Sequence, residues 1–92
     1  MLSMPAAHME GIADSPTVLY SQWVGVFHRS ADGETEPYVR DGQQIDDGEM
    51  LGVIVALQLQ HELRADRRGA LSRFLVEDGT AVEYGQPLVE IL

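Results

Sequence analysis

Cysteine is absent from these 92 residues, and so is lysine. Without cysteine there is no disulfide framework, no thiol nucleophile and no thiolate-ligated zinc, so a stapled secreted miniprotein is excluded. Without lysine, no prosthetic group can hang from a lysine amide. The six basic residues are all arginines (Arg29, Arg40, Arg64, Arg67, Arg68 and Arg73) and are set against fifteen acidic residues. The resulting formal net charge of −9 repels phosphate backbones and anionic lipids, which argues against nucleic acid and membrane as partners. No apolar run is long enough to cross a bilayer. Residues 1–14 lack both the cationic flank and the unbroken apolar stretch of a secretory signal, so the expected location is the cytoplasm.

What remains is a chain with 45% hydrophobic residues, enough for one small core and too short for two. Pro5, Gly11 and Pro16 punctuate a start with no hydrophobic period. Residues 1–17 are therefore expected to form a flexible arm and residues 18–92 the domain.

An internal repeat sets the fold. The segment from Val39 to Ile54 recurs from Val76 to Ile91, both copies reading V-x-D-G-x-x-(I/V)-x-x-G-(E/Q)-x-L-x-x-I. In each, Asp-Gly supplies a tight turn whose glycine accepts positive φ, a β-branched residue follows, and a second glycine turn leads into an apolar strand. Neither copy can bury a face alone. Packing the two about a pseudo-twofold axis gives two facing sheets, hence an all-β flattened barrel. Val18-Leu19-Tyr20 with Trp23-Val24 to Phe27, and Ala70-Leu71 with Phe74-Leu75, are expected as partner strands. Residues 55–64 have helix-compatible composition, but the preceding Gly52-Val53-Ile54-Val55 favours a strand, so a β-hairpin joining the halves is expected.

These features resemble the biotinyl domain of biotin carboxyl carrier proteins. Val24-Gly25-Val26-Phe27-His28-Arg29 is similar to the family's V-G-T-F-Y-R opening, and Gly42-Gln43, Gly48, Ala65-Asp66, Gly69 and the closing Val76 to Val89 follow its pattern. Residues 30–37 look like the protruding thumb loop of acetyl-CoA carboxylase carriers, an insertion that the related lipoyl domains lack. The resemblance implies a barrel-sandwich hybrid with a thumb-like loop. It also implies that the attachment motif E-A-M-K-M corresponds to Val55-Ala56-Leu57-Gln58-Leu59, so that Gln58 stands where the biotinyl lysine belongs. A glutamine amide offers no nucleophilic amine, and the expectation is a carrier-like scaffold with no covalent cofactor.

Three sets of residues are candidates for function. Leu57, Gln58 and Leu59 at the hairpin offer a protein-docking surface, the alternative being that the leucines line the barrel; Val55 is assigned to the core. His61 with Glu62 is the best general acid/base pair, against which adjacent strand residues point to opposite faces. His28, beside the thumb, is assigned a structural role and with Tyr38 completes the catalytic candidates. No metal site is expected: His8, His28 and His61 form no ligand spacing, and Asp41, Asp46, Asp47 and Glu49 lack a twelve-residue calcium loop. Arg64, Arg67 and Arg68 around Asp66 form the one basic patch, read as an exposed hairpin turn or a site for an acidic partner.

Two functions from different classes follow. One is a non-catalytic binding or regulatory subunit that associates with an acyl-CoA carboxylase or related acyl-transfer system. The other is a domain recruited as a small enzyme or ligand-binding protein, of cyclase, dehydratase or isomerase type in a polyketide-like pathway, with a pocket between thumb and hairpin and His28, His61, Tyr38 and Trp23 as its groups. A homo-oligomer built on a sheet edge or on the hairpin leucines is a third possibility.

Overall fold

The structure, a computed structural model, describes residues 16–31 and 35–92. Eight strands in these residues run in the order β1 (Thr17–Tyr20), β2 (Gly25–His28), β3 (Gln44–Ile45), β4 (Met50–Ala56), β5 (Leu59–Arg64), β6 (Gly69–Phe74), β7 (Thr80–Val82) and β8 (Pro87–Ile91). They form two antiparallel sheets of four, ordered β1-β8-β6-β3 and β5-β4-β2-β7. This is the all-β arrangement that the repeat predicts. The arm expected over residues 1–17 lies outside the described residues except for Pro16 and Thr17, and β1 already begins at Thr17.

The duplication is visible bond by bond. The glycines of both Asp-Gly turns and of both following turns, Gly42, Gly79, Gly48 and Gly85, have φ between 82° and 87°, a region that only glycine enters without a steric cost. Gly42 N–H donates to Leu71 O at 2.6 Å and Gly79 N–H to Phe27 O at 2.7 Å; Gly48 N–H donates to Ala65 O at 2.8 Å and Gly85 N–H to Ser21 O at 2.7 Å. The second turn of each copy is closed by a side chain as well: Asp46 N–H donates to Glu49 Oε1 at 2.9 Å and Glu83 N–H to Gln86 Oε1 at 3.0 Å. β1 thus corresponds to β5, β2 to β6, β3 to β7 and β4 to β8, and the pseudo-twofold exchanges the two sheets. Because β3 and β4 lie in different sheets, as do β7 and β8, each glycine turn carries the chain across the sandwich rather than closing a hairpin.

Inward residues of both sheets fill two adjoining clusters. One gathers Val39, Ile45, Leu51, Leu71, Val89 and Ile91; the other gathers Phe27, Ile54, Val82 and Leu88, with Leu63 and Phe74 packed against both. The Phe27 and Phe74 rings meet at 5.7 Å in a tilted arrangement.

Three local expectations are corrected. Trp23 and Val24 are not strand residues: Ser21 Oγ accepts from Trp23 N–H at 3.2 Å and donates to Trp23 O at 2.7 Å, and this side-chain turn takes the backbone groups a ladder would need. Leu75 likewise falls outside β6. The segment carrying Arg67 and Arg68 is no hairpin turn, since it leads from β5, the edge of one sheet, to β6, inside the other.

Close approach fixes two further glycines. A Cβ on Gly25 would collide with the carbonyl oxygen of Val55, and one on Gly69 with that of Leu92, the corresponding position in the other half. Each collision is with backbone, which cannot move without opening a sheet. Gly25→Ala and Gly69→Ala are expected to cost about 1–3 kcal/mol each, the range for overpacking, in urea-unfolding measurements. A loss at one position alone would contradict the pseudo-twofold equivalence.

Candidate functional site

β4 and β5 form the hairpin between the halves, with Ala56 opposite Leu59. Its turn is Leu57-Gln58, at φ 52° and 68°. Two consecutive residues with positive φ make the turn of type I′, whose twist suits a two-residue hairpin but which asparagine and glycine occupy far more readily than leucine and glutamine. Leu57 is 95% exposed and Leu59 62%, so neither lines the barrel. Val55 is not core either. Ile54, its neighbour, points inward with Phe27, so Val55 lies half-buried on the outer face, paired with Val26 on one side and Gln60 on the other.

An exposed apolar side chain in a strained turn has no stabilising role within the domain. Replacing Leu57-Gln58 by Asn-Gly is therefore expected to raise stability by about 1–2 kcal/mol, relieving the left-handed penalty. In a chain of this size that is a rise of several degrees in Tm, readable by circular dichroism.

Beside the tip, the His61 ring stacks on Trp23 at 3.6 Å between centroids, with planes 10° apart. His61 thus belongs to an aromatic wall, and Glu62 next to it turns to Arg64 Nε at 2.9 Å. The pair considered for acid/base chemistry is not brought together.

The base of the thumb is built on Arg29. Its N–H donates to Asp78 Oδ1 at 2.8 Å and its Nη2 to Asp41 Oδ1 at 3.4 Å, so the aspartates of both repeats converge on one residue. The guanidinium lies 4.1 Å over the Phe74 ring, a cation–π contact. Tyr38 N–H donates to Arg29 O at 2.9 Å, which closes the loop. Gln60 Nε2 donates to Ala31 O at 3.1 Å and draws the thumb toward the hairpin. His28 Nδ1 sits 3.6 Å from Asp78 Oδ1, beyond hydrogen-bond reach. Arg29 escaped notice as a site residue in the sequence, although its place immediately before the insertion was a usable signal. Residues 32–34 of the expected thumb lie outside the described residues.

The remaining candidates serve the scaffold. Asp46 pairs with Arg68 at 3.3 Å, Arg67 pairs with Asp66 at 3.1 Å and donates to Thr17 Oγ1 at 2.9 Å, and Glu49 closes its turn. Among the described residues no three His, Asp or Glu side chains are grouped to hold a metal ion, and no helix is long and apolar enough to cross a membrane. The pocket expected between thumb and hairpin involves residues 32–34, which lie outside the described residues. The described residues form two adjoining grooves away from the thumb. One, of about 410 Å³, runs between β1 and the end of β5; the other, about 140 Å³, continues it toward Trp23.

Two glycine-turn repeats related by a pseudo-twofold, with a type I′ hairpin joining them, define the barrel-sandwich hybrid of biotinyl and lipoyl domains. The profile of the family described as "Biotin-requiring enzyme" matches residues 19–91, and the chain belongs to that family. It is 35% identical over 71 residues to the biotin carboxyl carrier protein of acetyl-CoA carboxylase from Haemophilus influenzae, covering 77% of this chain and 46% of that one. The carrier protein of the same name from Pseudomonas aeruginosa is 33% identical over 75 residues, covering 82% and 48%. The chain therefore spans about half the length of these relatives. Among solved structures, a single-chain, multi-domain long-chain acyl-CoA carboxylase superposes with a TM-score of 0.69 at 27% identity, covering 84% of this chain and 7% of that one. The urea carboxylase of Kluyveromyces lactis shares the fold, with a TM-score of 0.71 at 23% identity over 86% of this chain and 6% of its own.

The residues present do not fit a covalently attached biotin. The turn residue at the hairpin tip is Gln58, whose carboxamide nitrogen is not nucleophilic, and the 92 residues contain no lysine.

Proposed function

We propose that this chain is a carrier-like domain that bears neither biotin nor lipoate and acts in the cytoplasm as a non-catalytic binding or regulatory partner of an acyl-CoA carboxylase or related acyl-transfer assembly. The observation that carries this reading is Gln58 at the second position of a hairpin turn whose shape is otherwise kept. With the thumb base tied to both repeats and the tip presenting Leu57 and Leu59 to solvent, the domain retains what a partner grips and lacks what a carrier transfers. Burial of the two leucines by a partner is worth about 1.5–3 kcal/mol each, enough for the tip to contribute binding energy without chemistry.

Purified chain is to be tested against biotin carboxylase and carboxyltransferase subunits by surface plasmon resonance. Association at micromolar concentration, weakened when Leu57 and Leu59 are changed to serine, supports the reading. No association with either subunit removes it. The recruited-enzyme reading has less behind it: of His28, His61, Tyr38 and Trp23, only Trp23 lines the groove beside β1 and β5, with His61 stacked on it.

A further inference from the structure

Three exposed aromatic side chains of the domain are gathered on one side. Tyr20, Trp23 and Tyr84 are 54%, 44% and 74% exposed, and all three line the continuous groove between β1 and β5. Its floor includes Leu19 and Leu63, which pack on the core. Its wall is fixed by Arg64, whose Nη1 donates to Gly48 O at 2.8 Å and whose Nε is held by Glu62. Both flanking strands are sheet edges, and among the described residues no strand pairs with the outer side of β5. Half of the backbone groups of an antiparallel edge strand point away from its neighbour and invite another strand. The six residues of β5 contain no proline or lysine that would discourage this.

We propose that the free edge of β5 and the aromatic groove beside it dock an extended, positively charged peptide segment of a partner protein, which adds as a strand and lays alternate side chains against Tyr20 and Tyr84. Main-chain pairing supplies affinity in this mode and side-chain pockets supply selectivity. The charge of the occupant follows from that of the domain: Glu62 and Asp66 at the groove are matched by Arg64 and Arg67, but the net charge of −9 attracts a basic segment and repels a second copy of the chain. The inference does not rest on the role assigned to the hairpin tip.

Trp23 is the only tryptophan and lies in the groove, so its fluorescence reports occupancy. A phage-displayed random dodecapeptide library is selected on the full chain, and the enriched peptides are synthesised and titrated. The expected result is peptides that are rich in Arg and Lys with alternating apolar residues and that shift Trp23 emission and slow hydrogen exchange of the β5 amides. Their affinity should fall at least about tenfold with Tyr20→Ala or Tyr84→Ala, the scale of one aromatic anchor, and stay unchanged with Leu57→Ser. Peptides without basic residues, unchanged exchange in β5, or indifference to both tyrosine variants would each overturn the proposal. So would sedimentation showing micromolar self-association abolished by the same variants, which would make a second copy the occupant.

Discussion

Phe27→Ala is expected to remove about 3–5 kcal/mol of stability, the cost of deleting a buried aromatic ring. Phe27 is fully buried on β2, an inner strand flanked by β4 and β7, so the paired strands on both sides hold the space its ring would leave. Its ring supports Phe74, over which Arg29 stacks, so the loss reaches the base of the thumb. A domain of this size has a total stability near the lower end of about 5–15 kcal/mol, and the variant should be largely unfolded at modest urea concentrations. Leu71, in the corresponding place of the other half, should lose about 2–5 kcal/mol as Leu71→Ala. Leu57→Ala, at the exposed tip, should stay within about 0.5 kcal/mol of the parent. A Phe27→Ala loss under about 1.5 kcal/mol in equilibrium urea unfolding would contradict the assigned core.

The second large effect is a gain. Gln58→Lys is expected to accept one biotinyl group when incubated with a biotin ligase, ATP and biotin, whereas the unaltered chain accepts none. The turn is set by backbone dihedrals and by pairing across β4 and β5, so a lysine at this position inherits the presentation that glutamine now has. Leu57 and Leu59 are close in size to the methionines of the family motif, and Val55 lies on the outer face, where it leaves the turn undisturbed. Incorporation is read by mass spectrometry. A Gln58→Lys chain that folds and yet stays unmodified would show that the hairpin no longer presents a carrier's geometry.

Much of the fold was legible because the repeat writes its turns in residues with only one comfortable conformation. Asp41-Gly42 and Asp78-Gly79 announce positive φ, and the spacing to Gly48 and Gly85 sets where β4 and β8 begin. The hairpin was legible from the β-branched Val53-Ile54-Val55 that leads into it, but its tip was placed by the resemblance to the carrier motif, since Leu57-Gln58 carries no turn signal of its own. What escaped depends on pairs far apart in the chain. Trp23 and His61 meet only because β2 and β5 flank β4, and no periodicity signals that stack. The convergence of Asp41 and Asp78 on Arg29 needs the sheet exchange to be known first. Val55 reads as core by its apolarity alone, but it alternates with Ile54, which faces Phe27, and near the hairpin tip nothing covers its outer face as fully as that of Val53, which shares its parity and is buried.

The central claim is that this scaffold of carrier type works without a swinging arm. Its most direct test is the intact mass of the unaltered protein produced in cells that also overproduce a biotin ligase and are supplied with excess biotin. The expected spectrum shows the mass of the polypeptide with no biotinyl or lipoyl adduct. A peak heavier by either group, localised to any residue of this chain, would contradict the account.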